Sequence, residues 1–360
     1  MVLNRNKQPL NVPFVAASIA LTAQLLGALP SSPERVSREV FVMGTLLRGE
    51  AEAPSQAAAE DALEAAIAEV ERWQGLLSTW DPATPLSTLN HGPVGTATPI
   101  PLELAALLAE VFPWVARTAR AFDPAVGALV DAWDLRGPGR VPTSGERMVA
   151  MARTGIRTFE LDPEAGTVTR VAHGAWIDTG AFGKGAALRA AADTLRSRGV
   201  TWAALDLGGQ WMVLGPPEWS VDVAVAHPIH RASPAVTLTL HGGHSVATSG
   251  NSERGITVDG RRLGHLLDPR TGLPAPDWGS VSVVSADPLV ADILSTALYV
   301  MGPEAGLAWA EQRDDVGVLF LVSDGDDVKT LLNQAMTRWL VQPPATTGSP
   351  DIPAPERRLP

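Results

Sequence analysis

Apolar residues return every three or four positions over 57–77, where Leu63, Ile67, Val70, Trp73 and Leu77 fall on one side of a helix. A second amphipathic helix is set out by Leu104, Leu107, Leu108, Val111, Phe112 and Val115 and ends near Arg120. A Pro-, Thr- and Asn-rich stretch over 81–101 reads as the loop between them, and a strand over 39–47 precedes both. Farther on the period shortens toward two. Strands over 159–161 and 168–171 flank the turn Asp162-Pro163-Glu164-Ala165-Gly166, and Trp176-Ile177-Asp178 reads as another strand. A helix over 184–198 follows, with Ala187, Leu188, Ala191 and Leu195 on one side and Gly199 at its stop. Strands are then expected over 203–207, 211–214, 221–226, 236–240, 245–248 and 280–284. Helices start near Ala291 and Glu304, and a last strand covers 316–322. Helices mixed with hairpin-linked strands imply an α+β fold.

Composition narrows the function. With 360 residues, 45% of them hydrophobic and 19% charged, the chain has enough apolar surface for one or two folded domains. A formal net charge of -11 repels a phosphate backbone, so nucleic acid is excluded as a partner. Cysteine is absent, which removes disulfides, thiolate nucleophiles and thiolate metal sites; any metal must be held by oxygen or imidazole. Arg5 and Lys7 precede an apolar run over 12–29 and then Pro30-Ser31-Ser32-Pro33, the order of a secretory signal or a short membrane anchor. The expected organisation is a leader or anchor over 1–35, a folded body over 36–340, and a disordered tail of Pro, Thr, Ser and Gly over 341–360. An extracytoplasmic location, periplasmic or on the outer face of the inner membrane, goes with it, as does membrane contact through the N-terminus.

Four segments carry candidate chemistry. Asp178-Thr179-Gly180-Ala181-Phe182-Gly183-Lys184-Gly185 lies between an expected strand and an expected helix, where glycines admit a ligand and the helix N-terminus faces an anion; such turns are equally often plain connections. Asp292 and Thr296 are four residues apart, so their oxygens share one helical face, as a Mg²⁺ site or as a helix cap plus a core-facing threonine. His265-Leu266-Leu267-Asp268-Pro269-Arg270-Thr271-Gly272 puts a histidine at the mouth of a turn, either a base or a structural residue. Ala121-Phe122-Asp123-Pro124 leaves a helix with proline biasing Asp123 toward extended backbone, to present a carboxylate or simply to stop the helix.

Taken together and in this order, these segments resemble the ApbE-type FAD:protein FMN transferases. The resemblance runs through Met43-Gly44-Thr45, Leu77-Ser78-Thr79-Trp80, Leu86-Ser87-Thr88-Leu89-Asn90, Trp133, Thr248-Ser249-Gly250 and Ala291 to Ala297. It implies a T-fold-like, two-lobed α+β architecture with flavin in the cleft between the lobes. It also implies Mg²⁺ held by the Ala181 carbonyl, the Asp292 carboxylate and the Thr296 hydroxyl, and FAD against Met43, Trp80, Ala121, Phe122, Asp123, Asp178, Lys184 and Leu267. His265 becomes the base for a threonine of an acceptor flavoprotein, which receives FMN from FAD as AMP leaves. The chain departs from the family pattern at Ala186, where a large aromatic is common, at Arg189, where Asp is common, and at Gln210, where Asn or Asp is usual. These departures bear on docking and flavin fit rather than on the metal ligands.

Three other readings compete. Water in place of threonine would make the chain a Mg²⁺-dependent FAD pyrophosphatase. A noncatalytic extracytoplasmic flavin binder would need neither Asp292, Thr296 nor His265. A nicotinamide dehydrogenase would require alternating strand and helix units and the full glycine spacing, both missing here.

Overall fold

The computed structural model describes residues 34–341 apart from 231–232, 252–254, 259 and 326. The predicted leader, through residue 33, and the tail from residue 342 lie outside the described residues, and Glu34 already opens the first strand.

An eight-stranded antiparallel sheet forms the frame, in the spatial order Glu34–Val42, Thr45–Ala53, Trp202–Leu207, Gln210–Leu214, His244–Gly250, Gly279–Ser285, Gly317–Asp324 and Asp327–Leu332. Helices Gln56–Leu77, Gly183–Ser197 and Pro288–Met301 cover one face. The hairpin Ser220–Ala226 and Pro234–His241, with Met336 and Trp339, covers part of the other. Gly279–Ser285 lies where both faces are covered, and all seven of its residues are buried. The second strand, Thr45–Ala53, instead alternates: Leu47 and Ala51 face the helices while Arg48 and Glu50 face out.

A second lobe spans the residues between the first helix and Gly183. It holds helices Pro85–His91, Leu102–Val111, Pro113–Arg117, Gly127–Ala132 and Ser144–Ala152 and a three-stranded sheet of Ala97–Pro99, Thr167–Arg170 and Phe159–Asp162. Its core residues Leu86, Leu104, Leu108 and Phe122 are continuous with Leu289, Ile293 and Phe320 of the sheet lobe. Apolar burial therefore fixes the two lobes against each other.

Several elements differ from the sequence-based expectation. The strand expected over 39–47 is a hairpin turning at Met43-Gly44, both with positive φ (53° and 71°). That is the backbone of a primed two-residue turn, and Met in place of the usual Asn or Asp hid it. The loop expected over 81–101 contains helix Pro85–His91, with the Thr84 side chain accepting from Ser87 N and proline in the first turn. The residues that read as loop are its start signals. The single helix ending near Arg120 is broken at Pro113 into two. The helix expected from Ala291 starts three residues earlier, at Pro288, with Asp287 as its cap. Strand 316–322 is not the last, because Asp327–Leu332 pairs onto it.

Trp176-Ile177-Asp178 is extended but is not a strand. Its ladder partner is a side chain: Asn90 Nδ2 donates to Ile177 O and Ile177 N donates to Asn90 Oδ1, both at 2.9 Å. A single buried amide thus satisfies the backbone that a neighbouring strand would otherwise serve.

Candidate functional site

Asp292 sits in the first half of helix Pro288–Met301 and is only 3% exposed. Capping of its own helix falls to Asp287, whose side chain accepts from Leu289 N at 2.9 Å. Asp292 instead reaches across to helix Gly183–Ser197. Its Oδ2 accepts from Gly185 N at 2.9 Å, and its Oδ1 lies 3.3 Å from Lys184 Nζ. That helix has no side-chain cap of its own, so a carboxylate from a distant segment meets its orphan N–H and the positive end of its dipole. The close approach requires glycine: a Cβ on Gly185 would lie 2.4 Å from Pro288 O and 2.8 Å from Leu289 Cα.

Thr296, one helical turn beyond Asp292, is half-buried. The first backbone bond of helix Gly183–Ser197 runs from Ala186 N to Phe182 O, so the Ala181 carbonyl lies just ahead of the ladder. Among the described residues no three His, Asp or Glu side chains converge on one point. Asp292, Thr296 and Ala181 would offer one carboxylate, one hydroxyl and one carbonyl. This all-oxygen, ligand-poor set suits Mg²⁺, which keeps several positions for water and phosphate oxygens.

The loop before that helix is tied by two bonds to other segments and by one within itself. Asp178 N donates to Pro124 O at 2.8 Å, which joins it to the Ala121-Phe122-Asp123-Pro124 turn. Asp178 Oδ1 accepts from Gly180 N at 2.8 Å, and Thr179 Oγ1 lies 3.5 Å from Leu77 O at the end of the first helix. Met43 lies against it from a third segment: its N donates to Gln74 Oε1, and its Cε would lie 3.6 Å from a Cβ at Gly183.

Trp80 follows the first helix and is 72% exposed. The Arg136 guanidinium lies 4.6 Å from its ring centroid and 4.2 Å from that of Trp176. Arg136 also donates to Thr79 O at 2.9 Å and stands 3.6 Å from Asp178 Oδ2.

Phe122 and Ala121 are buried in the shared core, beneath the loop rather than on its surface. Asp123 turns inward: Oδ1 accepts from Ala125 N at 3.0 Å and Oδ2 from Ile156 N at 3.4 Å. Burial pushes its carboxyl above the usual carboxylate range, and these two backbone bonds only partly offset that.

His265 is half-buried in a segment anchored to the sheet by Asn251, whose Oδ1 accepts from Leu266 N at 3.4 Å and whose Nδ2 donates to Ala275 O at 3.1 Å. Two residues before Asn251, in strand His244–Gly250, Ser249 Oγ is 2.8 Å from Ser295 Oγ, and Ser295 Oγ donates to Asp292 O at 2.9 Å. The histidine segment and the Asp292 helix are thereby linked through serine hydroxyls. Leu267 packs with Leu129, Trp133 and Ile256, and Trp133 Nε1 donates to Gly272 O at 2.9 Å.

Sequence reasoning missed Arg136, Asn251 and the clamping role of Asn90, because each acts through a partner more than 10 residues away, and no local spacing reveals that. Two of the three departures from the family pattern, Gln210 and Arg189, make structural contacts. Gln210 Nε2 donates to Pro288 O at 2.8 Å, which steadies the start of the Asp292 helix, and Arg189 pairs with Glu110 at 2.7 Å and Asp287 at 3.3 Å.

Residues 43–320 match the model of the ApbE family. The FAD:protein FMN transferase of Klebsiella pneumoniae (strain 342) is 35% identical over 208 residues, which cover 57% of this chain and 65% of that relative. The FAD:protein FMN transferase of Rhodobacter capsulatus is 32% identical over 328 residues, covering 86% of this chain and 60% of that relative. The chain therefore spans less than two thirds of the length of either relative. The crystal structure of Pseudomonas stutzeri flavinyl transferase ApbE in its apo form shares the fold with a TM-score of 0.75 at 26% identity, covering 86% of this chain and 97% of that one. With the family match reaching from the Met43 turn, through the Asp178 loop and the Asp292 helix, into the seventh strand of the sheet, this chain belongs to the ApbE family.

Proposed function

We propose that this chain is an FAD:protein FMN transferase that moves FMN from FAD onto a threonine of an acceptor flavoprotein, with magnesium in the Asp292 site. The observation that carries the reading is the buried Asp292 carboxylate set against Gly185 N and Lys184 at the mouth of the glycine-rich loop. A carboxylate, a lysine and a helix N-terminus at one point suit a pyrophosphate and its counter-cation. The relatives named FAD:protein FMN transferase support the same activity.

In this reading Trp80 offers its indole to a flat ring, and Lys184 turns its ammonium from Asp292 toward phosphate oxygens. Asp292, Thr296 and the Ala181 carbonyl would hold magnesium, which supplies charge neutralisation of the phosphoryl oxygens when bound. The acceptor threonine oxygen bonds to the phosphorus on the riboflavin side as the bridging P–O bond breaks. His265 takes the hydroxyl proton, and AMP departs with the bridging oxygen. The product is a phosphoester-linked FMN. The apolar run over 12–29, behind Arg5 and Lys7, supports placing this reaction outside the cytoplasm. Among the described residues no helix is long and apolar enough to cross a membrane.

The test is incubation of the full chain with FAD, Mg²⁺ and a candidate acceptor carrying an exposed threonine motif. Covalent flavin fluorescence on the acceptor, with AMP in equal amount and loss of both on chelation, is the expected result. FAD cleavage that proceeds equally without acceptor would replace this reading with the pyrophosphatase.

A further inference from the structure

Arg136 lies outside every motif discussed above, yet it touches three segments of the site. Its guanidinium sits between the rings of Trp80 and Trp176, 4.6 Å and 4.2 Å from their centroids. It donates to both the carbonyl and the hydroxyl of Thr79, next to Trp80, and stands 3.6 Å from Asp178 Oδ2. Its inner ring is fixed independently. Trp176 Nε1 donates to Asp131 Oδ2 at 2.8 Å, and the indole packs so closely on Gly127 that a Cβ there would lie 2.0 Å from its Cδ2. The turn that delivers Arg136 is itself forced, since Asp134 adopts a φ of 51°.

The outer ring has no such support. Trp80 is 72% exposed, and among the described residues its one ring contact is the Arg136 guanidinium. An exposed indole without packing samples several rotamers and must be immobilised when a ligand stacks on it. A planar cation between two indoles holds the outer one in place while leaving its far face open. The same cation stands 3.6 Å from Asp178 Oδ2, which ties it to the loop that leads into helix Gly183–Ser197.

We infer that Arg136 is a positioning residue for the flavin dinucleotide: it orients Trp80 as the ring platform, so that affinity for FAD depends on it. The inference rests on the flavin-transfer reading and adds to it a residue acting through Trp80 rather than by its own contact with the reacting atoms.

The experiment is a double-mutant cycle on the full chain, with FAD affinity read from quenching of flavin fluorescence and transfer kinetics measured beside it. Arg136→Ala should raise Kd and KM for FAD about tenfold and leave kcat within about twofold. Trp80→Ala should weaken binding comparably, and the double variant should be no weaker than the poorer single one. Arg136→Lys keeps the charge but not the planar stack and should fall between wild type and Arg136→Ala; it also serves if the alanine variant is poorly folded. Wild-type FAD affinity in Arg136→Ala, or losses that multiply in the double variant, would overturn the inference. If the wild-type chain itself binds no FAD, the flavin-transfer reading fails instead.

Discussion

The backbone N–H of Gly185 donates to Oδ2 of Asp292 at 2.9 Å across a sequence separation of 107 residues. One carboxylate thus caps a helix from outside and stands as the anionic ligand of the candidate metal site. The two roles separate by substitution. Asp292→Asn keeps an oxygen for Gly185 but removes the charge, whereas Asp292→Ala removes both. FMN transfer should fall by at least about a hundredfold in each. Only the alanine variant should also lose about 1–2 kcal/mol in urea denaturation, the worth of a helix cap. Asp292→Ala should impair transfer at least as much as His265→Ala, since a positioned base adds about 10²- to 10⁴-fold. A nearly active Asp292→Ala would remove the metal assignment.

Gly185→Ala tests the contact from the other side. The added Cβ would meet backbone atoms, Pro288 O at 2.4 Å and Leu289 Cα at 2.8 Å, and neither can rotate away. The two helices must part, at about 1–3 kcal/mol for overpacking. Because Asp292 moves with its helix, Mg²⁺ affinity should fall along with stability. Titration of Mg²⁺ against transfer activity at a temperature where the variant remains folded separates the two effects. An unchanged Mg²⁺ dependence would show that the helix spacing does not set the site.

Asn90→Ala removes both bonds to Ile177, each 2.9 Å and each buried. Leaving a buried N–H and C=O unpaired costs about 1–3 kcal/mol apiece. Asp178 is the next residue, so the loosened segment should also raise KM for FAD more than it lowers kcat. Denaturation combined with steady-state kinetics checks both, and a variant with lower stability but wild-type KM would confine Asn90 to folding.

How much of this was legible in the sequence follows from the range of each interaction. The helix carrying Leu63, Val70 and Leu77 and the hairpin around Asp162 depend on periodicities and turn residues within one window, and both stand where the pattern puts them. The spacing of Asp292 and Thr296 likewise placed two oxygens one turn apart. Spacing could not show that Asp292 faces Gly185 rather than its own helix end, because Asp287 already fills the cap. Ile177 was misread for the same reason: its alternation is that of a strand, and only tertiary structure reveals that its partner is the Asn90 amide. Arg136 gave no local signal, since a surface arginine in a turn acquires meaning only from Trp80 and Trp176.

Asp123 makes the stability of the chain depend on pH with a defined sign. Burial raises its carboxyl above the value it would have in the unfolded chain, while the Ala125 and Ile156 N–H groups pull it back only in part. The folded protein therefore takes up this proton at a higher pH than the unfolded chain does. Through that window the native state binds more protons, so this site's contribution to stability rises as pH falls. It is complete below the unfolded carboxylate value of about 3.9 and is lost as pH climbs through the raised folded value. Asp123→Asn, which cannot titrate, removes the dependence. Melting temperatures of wild type and Asp123→Asn, compared at about pH 8 and about pH 4.5, should shift in favour of wild type at the lower pH. A difference that stays constant, or moves toward the variant on acidification, would mean that Asp123 is solvated as an ordinary carboxylate and does not titrate as a buried group.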